Sequence, residues 1–102
     1  MINMKSDKKI LTAFLDGEID QHNAEGIRKS IDIEVEKKQP YILRLDFSDV
    51  NFMDSSGIGL VMGRYREMDS RGGKLKVTNI PKHLERIFKL SGLMGPLGEV
   101  FE

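Results

Sequence analysis

Residues 41–70 read YILRLDFSDVNFMDSSGIGLVMGRYREMDS. The first part predicts a strand over residues 41–47, because its large apolar side chains alternate along the chain. A loop over residues 48–53 is expected next. The remainder predicts a helix, because its apolar side chains recur every three or four residues, at Ile58, Val61, Met62, Tyr65 and Met68. A strand followed by a helix is the repeating pattern of α/β proteins.

A hairpin and an acidic turn are predicted at the amino-terminal end. Residues 2–5 and 9–16 are two extended segments that flank a charged turn. Asp16-Gly17 predicts a second turn, which leads into Glu18 and Asp20. Partners of parallel sheets tend to meet the loops at the carboxyl ends of the strands. We therefore expect Glu18 and Asp20 to face a partner.

Helices are predicted on both sides of the central stretch. The first begins at a cap, either Asp20 or Asn23, and ends before Pro40, because proline disfavours helical geometry in the preceding residue. The last begins at Pro81 and ends at Gly92. Their inward-facing apolar positions are Ala24, Ile27, Ile31 and Val35 in the first, and Leu84, Ile87 and Phe88 in the last.

Short strands are predicted around Leu75 and Val77 and over residues 99–101. The element order is then β-β-α-β-α-β-α with a possible eighth element, a strand. This order predicts an α/β fold with a mixed, mostly parallel sheet of four to five strands packed with helices. The length of 102 residues suits one domain.

Composition excludes several classes of protein. Hydrophobic residues make up 39% of the chain, which argues against disorder. Lys plus Arg and Asp plus Glu both number 16, so the basic excess of nucleic-acid binders is missing. The chain has no Cys, which excludes disulfides and thiolate sites. No apolar run is long enough for a membrane helix or a signal peptide, so a cytoplasmic protein is expected.

Two serines, Ser55 and Ser56, stand where the predicted loop turns into the second helix. The free N–H groups and the dipole of a helix N-terminus favour an anion there, so a phosphoryl group could be added without new structure. Helix capping is the simpler role for a serine. Asp54 can perform it, however, and would leave the hydroxyls free. Glycines at positions 57 and 59 would let a partner approach.

A serine hydrolase is the main enzymatic alternative. The only histidines are His22 and His83, and neither has an orienting acid at a readable spacing. Ser55 is not in the G-x-S-x-G context of a nucleophile elbow. No catalytic residue is therefore assigned, and the chain is not expected to be an enzyme.

Nucleotide and metal sites are weaker alternatives. Glycines at 57, 59 and 63 resemble a dinucleotide fingerprint, but the last spacing is one residue too long. Asp46 and Asp49 could hold magnesium as in phospho-aspartate receivers, yet no matching acidic pair follows the first strand. No cofactor or metal is expected.

The sequence resembles the STAS domain of anti-sigma factor antagonists. The resemblance is carried by Phe52-Met53-Asp54-Ser55-Ser56-Gly57-Ile58-Gly59 with Gly63-Arg64-Tyr65, by Gly17-Glu18-Ile19-Asp20, and by residues 86–93. The resemblance as a whole covers nearly the whole chain. The Asp-Ser-Ser-Gly core with Gly-Arg-Tyr is most similar to the sporulation branch, whose members antagonise the anti-sigma F factor.

The resemblance implies a partner-switching role. The unphosphorylated protein would bind an anti-sigma factor that is also a serine kinase, and so free the sigma factor. The kinase would phosphorylate Ser55, which ends binding, and a metal-dependent serine phosphatase would reverse it. No direct contact with nucleic acid or a membrane is implied, and a monomer is expected. The partner-binding residues would be Glu18, Asp20, Asp54, Ser56, Gly57 and Ile58.

Two other functions stay open. One is a stress-response antagonist of the sigma B type with the same chemistry. The other is a passive STAS module that binds a small ligand or a nucleotide and is never phosphorylated. Family members usually continue with a further helix, so we expect a single STAS domain over residues 1–102 without that carboxyl-terminal helix.

Overall fold

The computed structural model describes residues 2–102. Four strands form one sheet in the order β1-β2-β3-β4, in which β1 and β2 are antiparallel and the other pairs are parallel. The predicted mixed, mostly parallel sheet is thereby confirmed. The elements are β1 (Ile2–Asp7), β2 (Ile10–Ile19), α1 (Ala24–Lys38), β3 (Ile42–Met53), α2 (Ser55–Ser70), β4 (Lys74–Thr78) and α3 (Glu85–Leu90).

The amino-terminal hairpin forms as predicted, but its strands are longer. The two strands pair from Ile2 opposite Leu15 to Asp7 opposite Ile10, so the turn is confined to two lysines. The turn predicted at Asp16-Gly17 is wrong, because β2 runs through it to Ile19. The pairing of β2 with β3 shifts register between Phe14 and Asp16 and again between Gly17 and Glu18. These irregularities accommodate Gly17, whose φ is 75°.

The loop predicted over residues 48–53 is also wrong, because β3 continues to Met53. Val50 and Met53 are buried there, while their neighbours are exposed. The extension pairs with the end of β2, with Gly17 opposite Val50 and Ile19 opposite Met53. The sequence of this polar segment predicts a loop, but pairing with another strand keeps it extended.

The core lies between one face of the sheet and the helices. Alternate residues of the three parallel strands are buried: Leu11, Ala13, Leu15, Leu43, Leu45, Phe47, Leu75 and Val77. Helix α1 buries the predicted residues Ile27, Ile31 and Val35. Helix α2 is rotated from the predicted stripe, so that Leu60 and Arg64 are buried and Met62 is only partly so. No helix within residues 2–102 is long and apolar enough to cross a membrane.

The carboxyl-terminal part packs on the end of this core. A 3₁₀ turn from Lys82 to Leu84 leads into α3, and Pro81 precedes that turn. Phe88 of α3 makes edge-on contacts with Phe47 and Phe101, with ring centroids 5.5 Å and 5.7 Å apart. The strand predicted over residues 99–101 is instead a 3₁₀ turn, followed by a single bridge from Phe101 to Val77.

Candidate functional site

Ser55 is the first residue of α2 and is exposed. The residue before it, Asp54, caps the helix, because its Oδ1 accepts a hydrogen bond from the Ser56 N–H at 2.7 Å. This confirms that Asp54 can cap the helix. Capping of α2 within residues 2–102 therefore does not use the Ser55 hydroxyl. It is exposed at the positive end of the helix dipole.

Residues 18–20, called the acidic turn below, lie beside this serine because β2 and β3 end together. Ile19 is paired with Met53, and the Asp54 N–H donates to the Ile19 carbonyl oxygen at 3.1 Å. Glu18 is paired with Phe52 and is exposed. The structure therefore brings residues 18–20 and residues 52–56 together at one edge of the sheet, although more than thirty positions separate them in the chain.

Asp20 is half-buried and holds the backbone turn that precedes α1. Its Oδ1 accepts hydrogen bonds from the N–H groups of His22 at 2.9 Å and Asn23 at 3.2 Å. In return, Asn23 Oδ1 accepts from the Asp20 N–H at 3.0 Å, and Asn23 Nδ2 donates to the Glu18 carbonyl oxygen at 2.7 Å. Asn23 is the N-cap residue of α1, but its side chain makes no capping hydrogen bond to the helix, so the predicted side-chain cap is wrong. Asp20 and Asn23 instead hold each other's backbone in the turn before α1. These hydrogen bonds connect the end of β2 with the residues just before α1.

The remaining predicted partner-binding residues occupy the first turn of α2 in different ways. Gly57 is buried, and a Cβ there would lie 2.2 Å from Cγ and Sδ of Met53. Internal packing, rather than access for a partner, therefore requires glycine at this position. Gly59 is exposed with open space beside it, and Ile58 is partly buried against the core. Ser56 lines a shallow groove between α1 and α2, together with Arg28.

An apolar groove beside Phe52 was not predicted from the sequence. Phe52 is 52% exposed and Leu90 of α3 is 74% exposed, which is unusual for large apolar side chains. The groove between them is lined by Asn51, Phe52, Met53, His83, Leu84, Arg86, Ile87 and Leu90. Leu90 falls outside the inward stripe of α3, and an apolar residue in that place is the signal that could have revealed the groove.

The enzymatic alternatives find little support in the geometry. His22 is exposed at the start of α1, and His83 Nε2 lies 2.8 Å from the Asn51 carbonyl oxygen. Among residues 2–102, no three His, Asp or Glu side chains are placed to hold a metal ion together. Asp49 is exposed, whereas Asp46 is buried and held by Ser48 and Asn79.

The pKa of Asp46 reflects two opposing effects. Burial by itself raises the pKa of this carboxyl, but hydrogen bonds from Ser48, Asn79 and Thr78 outweigh it and hold the pKa below its usual value. Asp46 is therefore ionised at neutral pH. It faces away from the helices, on the opposite side of the sheet from its buried neighbours Leu45 and Phe47.

The STAS domain family model matches residues 1–101 of this chain. The chain belongs to the STAS domain family. This STAS domain is 32% identical over 92 residues to the anti-sigma F factor antagonist of Paenibacillus polymyxa, covering 90% of the chain and 79% of that relative. It is also 32% identical to the anti-sigma-B factor antagonist of Bacillus subtilis, covering 90% of the chain and 83% of that relative.

Solved structures give the same picture of the STAS domain. The anti-sigma factor antagonist SpoIIAA in its unphosphorylated form superposes with a TM-score of 0.84 at 29% identity, covering all of this chain and 86% of that one. SpoIIAA of Bacillus in its phosphorylated form gives a TM-score of 0.77, also at 29% identity, covering all of this chain and 89% of that one. The similar proteins are thus anti-sigma factor antagonists, and the two named relatives are of the F and B types.

Proposed function

We propose that this protein is an anti-sigma factor antagonist of the sporulation, sigma F type, acting as a monomer in the cytoplasm. In its unphosphorylated form it binds an anti-sigma factor that is also a serine kinase, and the sigma factor is released. Phosphorylation of Ser55 by that kinase ends the binding, and a serine phosphatase restores it. The protein itself is a substrate and not an enzyme. Its named relatives support the antagonist role.

One observation supports Ser55 as the site of phosphorylation. The Asp54 carboxylate occupies the capping position of α2, so Ser55 is exposed with its hydroxyl uncommitted at the helix N-terminus. A phosphoryl group on this oxygen would be stabilised by the helix dipole and nearby N–H groups. SpoIIAA, which has the same fold, is known in a phosphorylated form.

The docking surface joins three features around Ser55. The acidic side chains of Glu18 and Asp20 lie on one side, and the apolar groove of Phe52 and Leu90 lies on the other. Asp54, Ser56 and Ile58 belong to the helix end between them, which is shaped by buried Gly57. Carboxylates give orientation and specificity toward a basic partner surface, while exposed apolar side chains supply most of the binding energy.

Charge explains how phosphorylation ends the binding. A phosphoserine carries a charge of about −1.5 to −2 near neutral pH. It would be added among the carboxylates of Glu18, Asp20 and Asp54, on a surface that a partner must desolvate. Both like-charge repulsion and the cost of desolvating the phosphate then oppose docking, without any change of fold.

The test compares hydroxyl loss with charge gain at one position. Ser55→Ala should bind the kinase as the wild type does, because it removes a small polar group and adds no charge. Ser55→Asp should bind at least about ten-fold more weakly, or about 1.4 kcal/mol, as measured by calorimetry. Equal affinities of the two variants would contradict the mechanism.

Mass spectrometry after incubation with the kinase and ATP locates the modification. One phosphoryl group should appear on Ser55, and Ser56→Ala is the matched control that should still be phosphorylated. Ser55→Ala should accept none. A label mapped to Ser56 or Ser48 would overturn the assignment of the site.

A sigma B type antagonist is the second candidate. The relative from Bacillus subtilis, an anti-sigma-B factor antagonist, is as similar as the F-type relative from Paenibacillus polymyxa. Calorimetry with one kinase of each type separates the two functions. Tighter binding to the B-type kinase would assign the protein to the stress-response branch. The proposed role of Ser55 would be unchanged.

A further inference from the structure

The apolar groove of the docking surface has two walls that belong to different parts of the fold. One wall is the end of β3, which strand pairing holds in place through Ile19 opposite Met53. The other wall is the 3₁₀ turn with α3, and its residues in the groove are His83, Leu84, Arg86, Ile87 and Leu90. The width of the groove therefore depends on where α3 lies relative to the sheet.

Helix α3 is too short to hold this position by itself. It has six residues, whereas an isolated helix needs roughly 12–15 residues to be even marginally stable in water. The buried side chains of Leu84 and Phe88, four positions apart, attach this stretch to the core. Leu90 follows Phe88 by two positions and so lies on the opposite side of the helix. The packing of Phe88 therefore sets where Leu90 stands.

Two aromatic rings from distant parts of the chain contact Phe88. Phe47 of β3 lies edge-on to it with the ring centroids 5.5 Å apart, and Phe101 lies edge-on to it at 5.7 Å. Edge-on aromatic pairs add to the stabilisation that burial alone gives. Phe47 connects α3 to the sheet directly, whereas the contact with Phe101 depends on the last residues of the chain.

Residues 98–102, called the terminal segment below, attach Phe101 to the edge of the sheet. Phe101 forms a parallel bridge with Val77 of β4, and the Glu102 N–H donates to the Val77 carbonyl oxygen at 2.9 Å. Val100 is 2% exposed, so the segment is also held by burial. Strand β4 thereby fixes the Phe101 ring, which in turn contacts the buried face of α3.

We propose that Phe101 is a positioning residue for the docking groove, although it does not line the groove itself. This inference rests on the proposed function, in which the groove of Phe52 and Leu90 belongs to the docking surface. Without the Phe101 ring, Phe88 loses the contact on one side, and α3 is free to move relative to the end of β3. Every side chain that a partner contacts is still present, but ordering the groove then costs part of the binding free energy.

Amide hydrogen exchange of the full chain tests the position of α3 without any partner. Phe101→Ala should speed exchange at residues 84–90 by about ten-fold or more, well below the unfolding midpoint, and should shift the Leu90 methyl resonances. Exchange at residues 27–35 of α1 should stay near that of the wild type. Phe101→Tyr keeps the ring at a partly exposed position and should behave as the wild type does. Unchanged exchange at residues 84–90 in Phe101→Ala would overturn the proposal.

Calorimetry with the kinase tests the consequence for docking. Phe101→Ala should bind at least about ten-fold more weakly than the wild type, and Phe101→Tyr should bind normally. Val35→Ala is the matched control, because it removes core volume from α1 at a position 1% exposed and so destabilises the fold without touching α3. It should bind as the wild type does. Equal affinities of Phe101→Ala and Val35→Ala would show that Phe101 plays no part in docking.

Two further outcomes keep the inference separate from the proposed function. Where Phe101→Ala does not fold, Phe101→Leu takes its place, because it keeps apolar volume and removes only the ring; it should show the same changes at residues 84–90. If neither the wild type nor Val35→Ala binds the kinase, the proposed function fails. Hydrogen exchange in the Phe101 variants then still decides whether this ring positions α3.

Discussion

The Asp54 carboxylate accepts a hydrogen bond from the Ser56 N–H at 2.7 Å, across the residue that carries the proposed phosphorylation site. Capping and phosphate acceptance are thereby divided between two neighbouring side chains. Had Ser55 been the cap, its hydroxyl would be engaged with the helix, and modifying it would disturb the start of α2. The division allows Ser55 to be modified without a change in the helix.

Removing the cap should therefore cost stability. Asp54→Ala is expected to lower the free energy of unfolding by about 1 kcal/mol, because an N–H group of α2 loses its acceptor. Asp54→Asn keeps an acceptor and should cost less. Urea unfolding measures both, and Asp49→Ala is the control, since it removes an exposed carboxylate that caps no helix. Equal stability of Asp54→Ala and Asp49→Ala would refute the capping role.

Asp20 has both a structural and a proposed binding role, which two substitutions can separate. Asp20→Ala removes the acceptor for the N–H groups of His22 and Asn23, so it should lower the midpoint of thermal unfolding. Asp20→Asn keeps the acceptor and removes only the charge. It should fold normally and bind the kinase more weakly. If Asp20→Asn binds like the wild type, the charge of Asp20 plays no part in docking.

Arg64 of α2 forms an ion pair with Asp32 of α1, and Arg64 is only 7% exposed. Asp32→Asn should lower the free energy of unfolding by about 2 kcal/mol. This is less than the roughly 3–5 kcal/mol for one partner of a fully buried pair, because Asp32 is a third exposed and its carboxylate is partly solvated. Chemical unfolding measures the change. Glu36→Gln breaks the exposed pair with Arg71 and is the matched control, which should unfold almost as the wild type does.

The exposed apolar pair Phe52 and Leu90 should matter for docking and little for folding. Replacing both by Ala should leave the unfolding midpoint nearly unchanged, because more than half of each side chain already contacts water. Kinase affinity should fall by about ten-fold or more, as read by calorimetry. Ile33→Ala removes an equally exposed apolar side chain from α1, 62% exposed, and should bind normally. Similar affinities for both variants would remove the groove from the docking surface.

Phosphorylation should act through local charge. Amide chemical shifts are expected to change around residues 52–60 and 16–20, and almost nowhere else, when Ser55 is phosphorylated. An allosteric switch needs an element with two packing arrangements, and the single core under α2 offers none that is evident. Widespread changes that reach α3 would show a conformational switch, even with Ser55 as the correct site.

Local patterns were sufficient for the elements whose stability comes from a periodic apolar face. The spacing of Ile27, Ile31 and Val35 predicts α1, and the alternation of Leu43, Leu45 and Phe47 predicts the first half of β3. Both are found. The position of Ser55 at the start of the second helix and the ability of Asp54 to cap it were likewise readable, because a cap and its helix are neighbours in the chain.

Tertiary structure decided what depends on residues far apart in the chain. The ends of β2 and β3, around Gly17 and Val50, are extended only because they pair with each other, and this pairing places the acidic turn beside Ser55. Arg64 can be buried because Asp32 forms an ion pair with it. Asp46 can be buried because Asn79, at the end of the adjacent strand, donates a hydrogen bond to its carboxylate. A local pattern records the preference of a segment for one face, whereas burial of a charge or a polar strand requires a partner that only the folded chain supplies.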